Sequence, residues 1–196
     1  MARITMLSND QLDPELRRRT RADEHTPLEV GLTRIFGHCP EMAAGLNAFA
    51  ASLKVNRTLP ERMIELVRLR VAFHNQCRSC MAIRYPDAVA DGLTEELVCS
   101  LERPMEADDL DERERLAIRY GELMATNHLA IDDAFHDRLR ELFTEPEIVE
   151  LGLNVALFVG VGRLSATWDM VDELPDRFRA DGEVTPWGGD AIVVHR

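Results

Sequence analysis

Apolar residues recur at three- and four-residue intervals along most of the chain, the spacing of helices that bury one face. Asp13-Pro14 marks a helix start, with aspartate as cap and proline at the first position, for a short charged helix to about Ala22. Leu28 to Phe36 has helical spacing and stops near Gly37. Pro40 then opens a helix whose Met42, Leu46, Phe49 and Leu53 suit close packing. After Leu59-Pro60, the residues Met63, Ile64, Leu66, Val67, Leu69, Val71, Ala72 and Phe73 cover most of a helix circumference. That pattern predicts a buried helix. It ends at a polar break, His74-Asn75-Gln76, after which Cys77 opens a second helix that Gly92 closes. Pro86 should kink or restart this second helix, because proline removes a backbone donor and restricts Tyr85.

The second half reads in the same way. Thr94 caps a short helix that ends before Pro104, and residues 102–110 form the candidate linker. Asp111 with Glu114, and Thr144 with Glu147, are capping-box pairs, and Asp132 or Asp133 caps the helix between them. The apolar stretch Leu151 to Val161 reads as a buried core helix, short of the roughly 18–20 residues a membrane span needs. Gly152, Gly160 and Gly162 should let neighbouring backbones approach it. No strand alternation persists before Pro175 to Arg196, which reads as an extended arm. The expectation is an all-α single domain over 1–196, with helical repeats at 28–101 and 110–174 and the arm at 175–196.

Composition narrows the function classes. A chain of 196 residues is ample for a core, and a net charge of -12 disfavours nucleic acid and anionic membrane as partners. The opening residues lack the apolar region of a signal peptide, which points to the cytoplasm. In a reducing cytosol the isolated Cys39 and Cys99 are expected as buried thiols. His128, Asp132, Asp133 and His136 resemble a metal set, but the aspartates are explained as caps. A single Cys-x-x-C supplies half a zinc site, so no metal is expected. Gly160-x-Gly162 has no strand before it, so no nucleotide loop is expected and no cofactor is implied.

The candidate chemistry lies at Cys77 and Cys80. Two cysteines three apart share a helix face, close enough to cycle between dithiol and disulfide, and a helix start favours the thiolate. Glu65 sits on an otherwise apolar helix, either paired with Arg68 on the same face or acting on the cysteines. Arg84 follows Cys80 by one turn. It either forms a salt bridge, to Glu65 or Asp87, or lowers a thiol pKa through its charge. His74, three residues before Cys77, is either a helix-end residue bonding carbonyls or the nearest titratable base.

The register Glu65, Cys77, Cys80, Arg84, Ala88, Gly92 resembles the motif of the carboxymuconolactone decarboxylase family, and more closely its alkyl hydroperoxidase D branch. One position departs from the branch pattern: Arg84 stands where the branch has a relay histidine. Arginine has no acceptor lone pair and stays charged, so it cannot take part in a proton relay. The resemblance implies a helical bundle, a thiol-dependent peroxidase reducing hydroperoxides, an external dithiol reductant and a homo-oligomer, trimer or hexamer. It assigns peroxide attack to Cys80 and resolution to Cys77, whereas helix-start electrostatics favour Cys77 as the more acidic thiol. Lactone decarboxylation is the first alternative, although members with that chemistry typically lack the Cys-x-x-C. A non-catalytic helical oligomer with a structural or regulatory disulfide is the second.

Overall fold

A computed structural model describes residues 2–194; Met1, and His195 and Arg196 of the expected arm, lie outside the described residues. Asp13 caps α1 (Pro14–Arg19) by accepting from the Glu15 and Leu16 amides. There follow α2 (Gly31–Phe36), α3 (Pro40–Val55) and α4 (Glu61–Asn75). The expected Cys77–Gly92 helix is two helices, α5 (Arg78–Ala82) and α6 (Pro86–Ala90). Between them Ile83–Arg84 is extended as β1. Pro86 is the local cause, since it bars Tyr85 from helical backbone and pre-sets the first turn of α6. Then come α7 (Glu95–Cys99), α8 (Glu112–Thr126), α9 (Asp133–Leu142) and α10 (Glu145–Trp168). The capping boxes at Asp111/Glu114 and Thr144/Glu147 form as expected, and Asp132 caps α9. The fold is all-α.

Helix α4 is the axis, packed against α8 on one side and α10 on another. Its Leu66, Val67, Leu69 and Val71 are wholly buried. Each such side chain contributes about 1.5–3 kcal/mol by leaving water. That burial holds together a helix whose sequence also carries five charged residues, Glu61, Arg62, Glu65, Arg68 and Arg70. Helix α8 reaches α4 closely at Gly121, where a Cβ would lie 2.8 Å from Val67 Cγ1 and 3.2 Å from Val71 Cγ2. Gly162 of α10 plays the same part against Asn75, 2.6 Å from its Nδ2. Gly160, by contrast, has nothing within 4 Å of a Cβ position.

Two expectations are corrected. Helix α10 is not a buried core helix: only Leu151, Asn154, Val155, Gly162 and Ser165 are buried along its 24 residues. Val149, Leu153 and Leu164 are 61%, 44% and 46% exposed. Apolar side chains all round give no periodicity from which to tell the covered side from the open one. By length and composition α10 is also long and apolar enough to cross a membrane, although it packs here against α4 and α8.

The arm is not a free extension either. It forms α11 (Asp176–Arg179) and then returns to its own chain as β2 (Ile192–Val193), parallel to β1 with Ile83 opposite Ile192 and Arg84 opposite Val193. Leu174, Phe178 and Val184 join Ala72, Met81 and Ala82 in a second small core. Arg177 gathers the carbonyls of Thr185, Trp187 and Gly189, so the arm's turns are satisfied from within.

The α4–α8 contact gives a direct test. Gly121→Val adds methyl groups where backbone and valines already touch, so we expect a destabilisation of about 1–3 kcal/mol despite the better helix propensity. Urea unfolding measures it, and an unchanged midpoint would mean that the helices separate without cost.

Candidate functional site

Cys77 is the N-cap of α5, and its sulfur is bonded to that of Cys80, with Cα atoms 5.2 Å apart. The expected disulfide spacing at a helix start is therefore met. The two cysteines differ in access. Cys77 is completely buried, while Cys80 is part-exposed and lines a cavity of about 280 Å³. Leu53, Leu157, Phe158, Val161 and Met170 supply apolar wall, and Glu65, Arg68, Ser79 and Tyr85 line it together with Cys80.

Helix α5 has only five residues and would not persist alone. Its last carbonyls have no partners within the helix. Arg68, from α4, donates Nη1 to the Cys80 carbonyl at 2.6 Å and Nη2 to the Ile83 carbonyl at 2.9 Å. The same guanidinium meets both oxygens of Glu65 at 2.6 Å. Glu65 thus has the Arg68 partner expected from their spacing, and both side chains are buried. Arg68 also lies over the Tyr85 ring, 5.0 Å from its centroid.

Arg84 approaches α5 from the other direction. It is 2% exposed, and all five of its donors are engaged. Nε and Nη2 reach Glu95 at 2.9 and 3.2 Å, Nη1 reaches the Met81 and Ile83 carbonyls at 2.8 and 3.0 Å, and Nη2 reaches the Pro186 carbonyl at 2.6 Å. Burial lowers its pKa from the ordinary arginine value, and Glu95 opposes that shift. The partner is Glu95, not Glu65 or Asp87. Asp87 is held instead by Lys54 at 2.7 Å. The reason is the break at Tyr85-Pro86, which puts Arg84 on extended backbone and removes it from helical spacing.

The polar break ties α4 to three elements. His74 Nε2 lies 3.3 Å from Glu122 Oε1 on α8, an ion-pair distance at an angle outside hydrogen-bond geometry. Asn75 donates to the Phe158 and Val159 carbonyls of α10. Gln76, in left-handed backbone at φ 49°, pairs with both the amide and the carbonyl of Val184 in the arm. Neither His74, Arg84 nor Cys77 is among the cavity-lining residues.

Elsewhere, Cys39 and Cys99 are exposed, against expectation, because Cys39 caps α3 and Cys99 falls on the outer side of short α7. His38 Nε2 is 2.9 Å from the Thr5 carbonyl, consistent with a helix junction.

Two residues of this site carried no signal that pointed to them. Tyr85 stood out only as the residue before proline. Glu122 drew no reading from the sequence, yet it accepts from Arg70 and Arg119, both at 2.7 Å. His74, then Arg70 and Arg119, hold the Glu122 carboxyl well below the usual carboxylate range, while burial acts the other way. A depressed carboxylate stabilises the fold above its unfolded value of about 4.3 and loses that contribution as pH falls through its folded value. We therefore expect Glu122→Gln to destabilise the protein at pH 7, with the gap to wild type narrowing as the medium is acidified below about pH 4.3. Urea midpoints across that range measure it, and parallel curves would exclude the linkage.

Comparison with known proteins places this geometry. The model of the carboxymuconolactone decarboxylase family matches residues 40–123, which span α3 to α8 and include the cysteine pair. Uncharacterized proteins from two strains of Mycobacterium tuberculosis are 36% identical over 115 residues, 58% of this chain. The match spans only 40% of those relatives' own length. Among solved structures, an uncharacterized peroxidase-related protein of Ralstonia eutropha, with an alkylhydroperoxidase AhpD core, superposes with a TM-score of 0.69. It is 18% identical, with 90% of this chain and 94% of that one covered. An uncharacterized peroxidase-related protein of Silicibacter gives 0.65 at 17% identity, covering 86% and 92%. At such identities these two speak for the fold. Residues 40–123 are thus similar to the carboxymuconolactone decarboxylase family, within an all-α fold like that of the AhpD-core structure.

Proposed function

We propose that the chain is a thiol-dependent peroxidase that reduces hydroperoxides through Cys77 and Cys80. The reading rests on one observation: Cys80 faces the cavity while Cys77 is sealed behind it. A peroxide entering the cavity meets Cys80 and oxidises its thiolate to the sulfenic acid. The Cys77 thiol condenses with it, forming the disulfide and releasing water. An external dithiol then reduces the disulfide, and its thiolate must attack the Cys80 sulfur, since Cys77 is out of reach. Access therefore outweighs the helix-start argument that favours Cys77. Glu65 and Arg68 form the wall beside Cys80, while Arg84 and His74 fix α5 and the end of α4 from outside the cavity. The cycle requires no cofactor.

The test is peroxide consumption with dithiothreitol as the reductant. Cys80→Ser should abolish turnover. With the dithiol omitted, reduced Cys77→Ser should consume one equivalent, leaving a sulfenic acid that dimedone traps at Cys80. Trapping at Cys77 in the Cys80→Ser variant would reverse the roles, and a wild-type protein that consumes no peroxide would end the reading.

The reading includes self-association. Helices α3 and α10 are both apolar overall yet largely uncovered, with Met42 and Phe49 on one and Val149, Leu153 and Leu164 on the other left exposed. Apolar surface of this extent is the mark of an interface. A homo-oligomer, trimer or hexamer, closed through these faces accounts for it. Leu153→Glu should lower the particle mass in light scattering while leaving the helical circular dichroism intact. An unchanged mass would remove α10 from the contact.

A further inference from the structure

Reduction of a hydroperoxide expels an alkoxide, a strong base that must be protonated as the O–O bond breaks. The relay histidine of the resembled branch would serve that need, but here its position is Arg84, which does not line the cavity and has no donor to spare. His74 faces Glu122 on α8. Glu65 receives Arg68 on both of its oxygens and serves as an acceptor. Glu61, Asp87 and Glu173, also on the cavity wall, each pair with a basic residue. Ser79 and Tyr85 are hydroxyl-bearing residues that line the cavity together with Cys80. A phenol is a far stronger acid than an aliphatic alcohol, yet keeps its proton at neutral pH.

Resting on the peroxidase reading above, we propose that Tyr85 is the catalytic proton donor to the leaving oxygen. Its position follows from sequence: Pro86 forces Tyr85 into extended backbone, at φ -99° and ψ 134°, where a continued helix would have turned it with α5. Its ring lies 5.0 Å below the Arg68 guanidinium, which is itself 2.6 Å from the Cys80 carbonyl. One cation thus holds both the residue that attacks and the residue that donates. A guanidinium over an aromatic face attracts the ring and so fixes its position.

The step balances. The Cys80 thiolate attacks the distal peroxide oxygen, an S–O bond forms and the O–O bond breaks. Sulfur gives up two electrons, and the alkoxide leaves as alcohol with the Tyr85 proton. The phenolate recovers a proton from solvent before Cys77 condenses with the sulfenic acid and water departs.

Leaving-group basicity separates chemistry from architecture. Cumene hydroperoxide expels a strongly basic alkoxide, whereas peracetic acid expels acetate, which needs no proton at pH 7. We expect Tyr85→Phe, which keeps the ring under Arg68, to slow thiol oxidation of the reduced full chain by cumene hydroperoxide about 10²-fold. Its reaction with peracetic acid should match wild type in stopped-flow measurements, as should alkylation by iodoacetamide. Equal slowing with both oxidants would make Tyr85 a structural residue, and no slowing with either would remove it altogether. Ser79→Ala guards against the rival hydroxyl, and a selective loss there in place of Tyr85→Phe would overturn the assignment. Wild-type thiols inert to both oxidants would instead overturn the peroxidase reading, and the proposal with it.

Discussion

The geometry of the cysteine helix depends on two buried guanidinium groups. A five-residue helix gains too few internal bonds to offset its nucleation cost. Its terminal carbonyls find no partners within the helix, and an unpaired buried carbonyl costs about 1–3 kcal/mol. Arg68 and Arg84 answer those carbonyls from two sides and share the one on Ile83. Burying the cations is itself costly, several kcal/mol each by desolvation, and is tolerable because Glu65 and Glu95 each meet one in a two-point bridge. The pairs set position more than stability. Without them the cysteine helix would have no fixed end.

Arg84 then acquires a meaning that its spacing alone did not give. A histidine presents two ring nitrogens and cannot satisfy four oxygen-bearing partners at once. Arginine binds Glu95, the Met81 and Ile83 carbonyls and the arm, and does not line the cavity. At this position the side chain serves architecture. The polar break works by similar logic, since His74, Asn75 and Gln76 attach the end of α4 to α8, α10 and the arm in turn. The chain entering Cys77 is thereby held on three sides.

What could be read from the sequence was what local chemistry decides. The starts of α1, α8 and α10 were legible because a cap and its amide lie within three residues of each other. The same holds for the Glu65–Arg68 pair, one turn apart on a buried helix, and for Cys77 as a helix start. Partners that lie far along the chain were not legible. Glu95 comes eleven residues after Arg84, and Pro186 comes 102 after it. The exposure of α10 was hidden because a uniformly apolar helix does not declare which face a neighbour will cover. The arm misled for a related reason: its few apolar residues, Phe178 and Val184 among them, are too sparse to form a core but enough to complete one begun by Met81 and Ala82.

The arm also imposes an order of events. Gln76 and Arg84 leave the ribosome with their segment, but the backbone groups they bind belong to Val184 and Pro186, more than a hundred residues later. At a synthesis rate of about 5–20 residues per second, roughly 5–20 s pass before those groups exist. Throughout that interval α5 lacks the segment that packs against its Met81 and Ala82, and both thiols face whatever oxidants and thiols surround the nascent chain. The last fixed point of the cysteine segment is therefore a late acquisition, made when β2 docks on β1 and Pro186 meets Arg84.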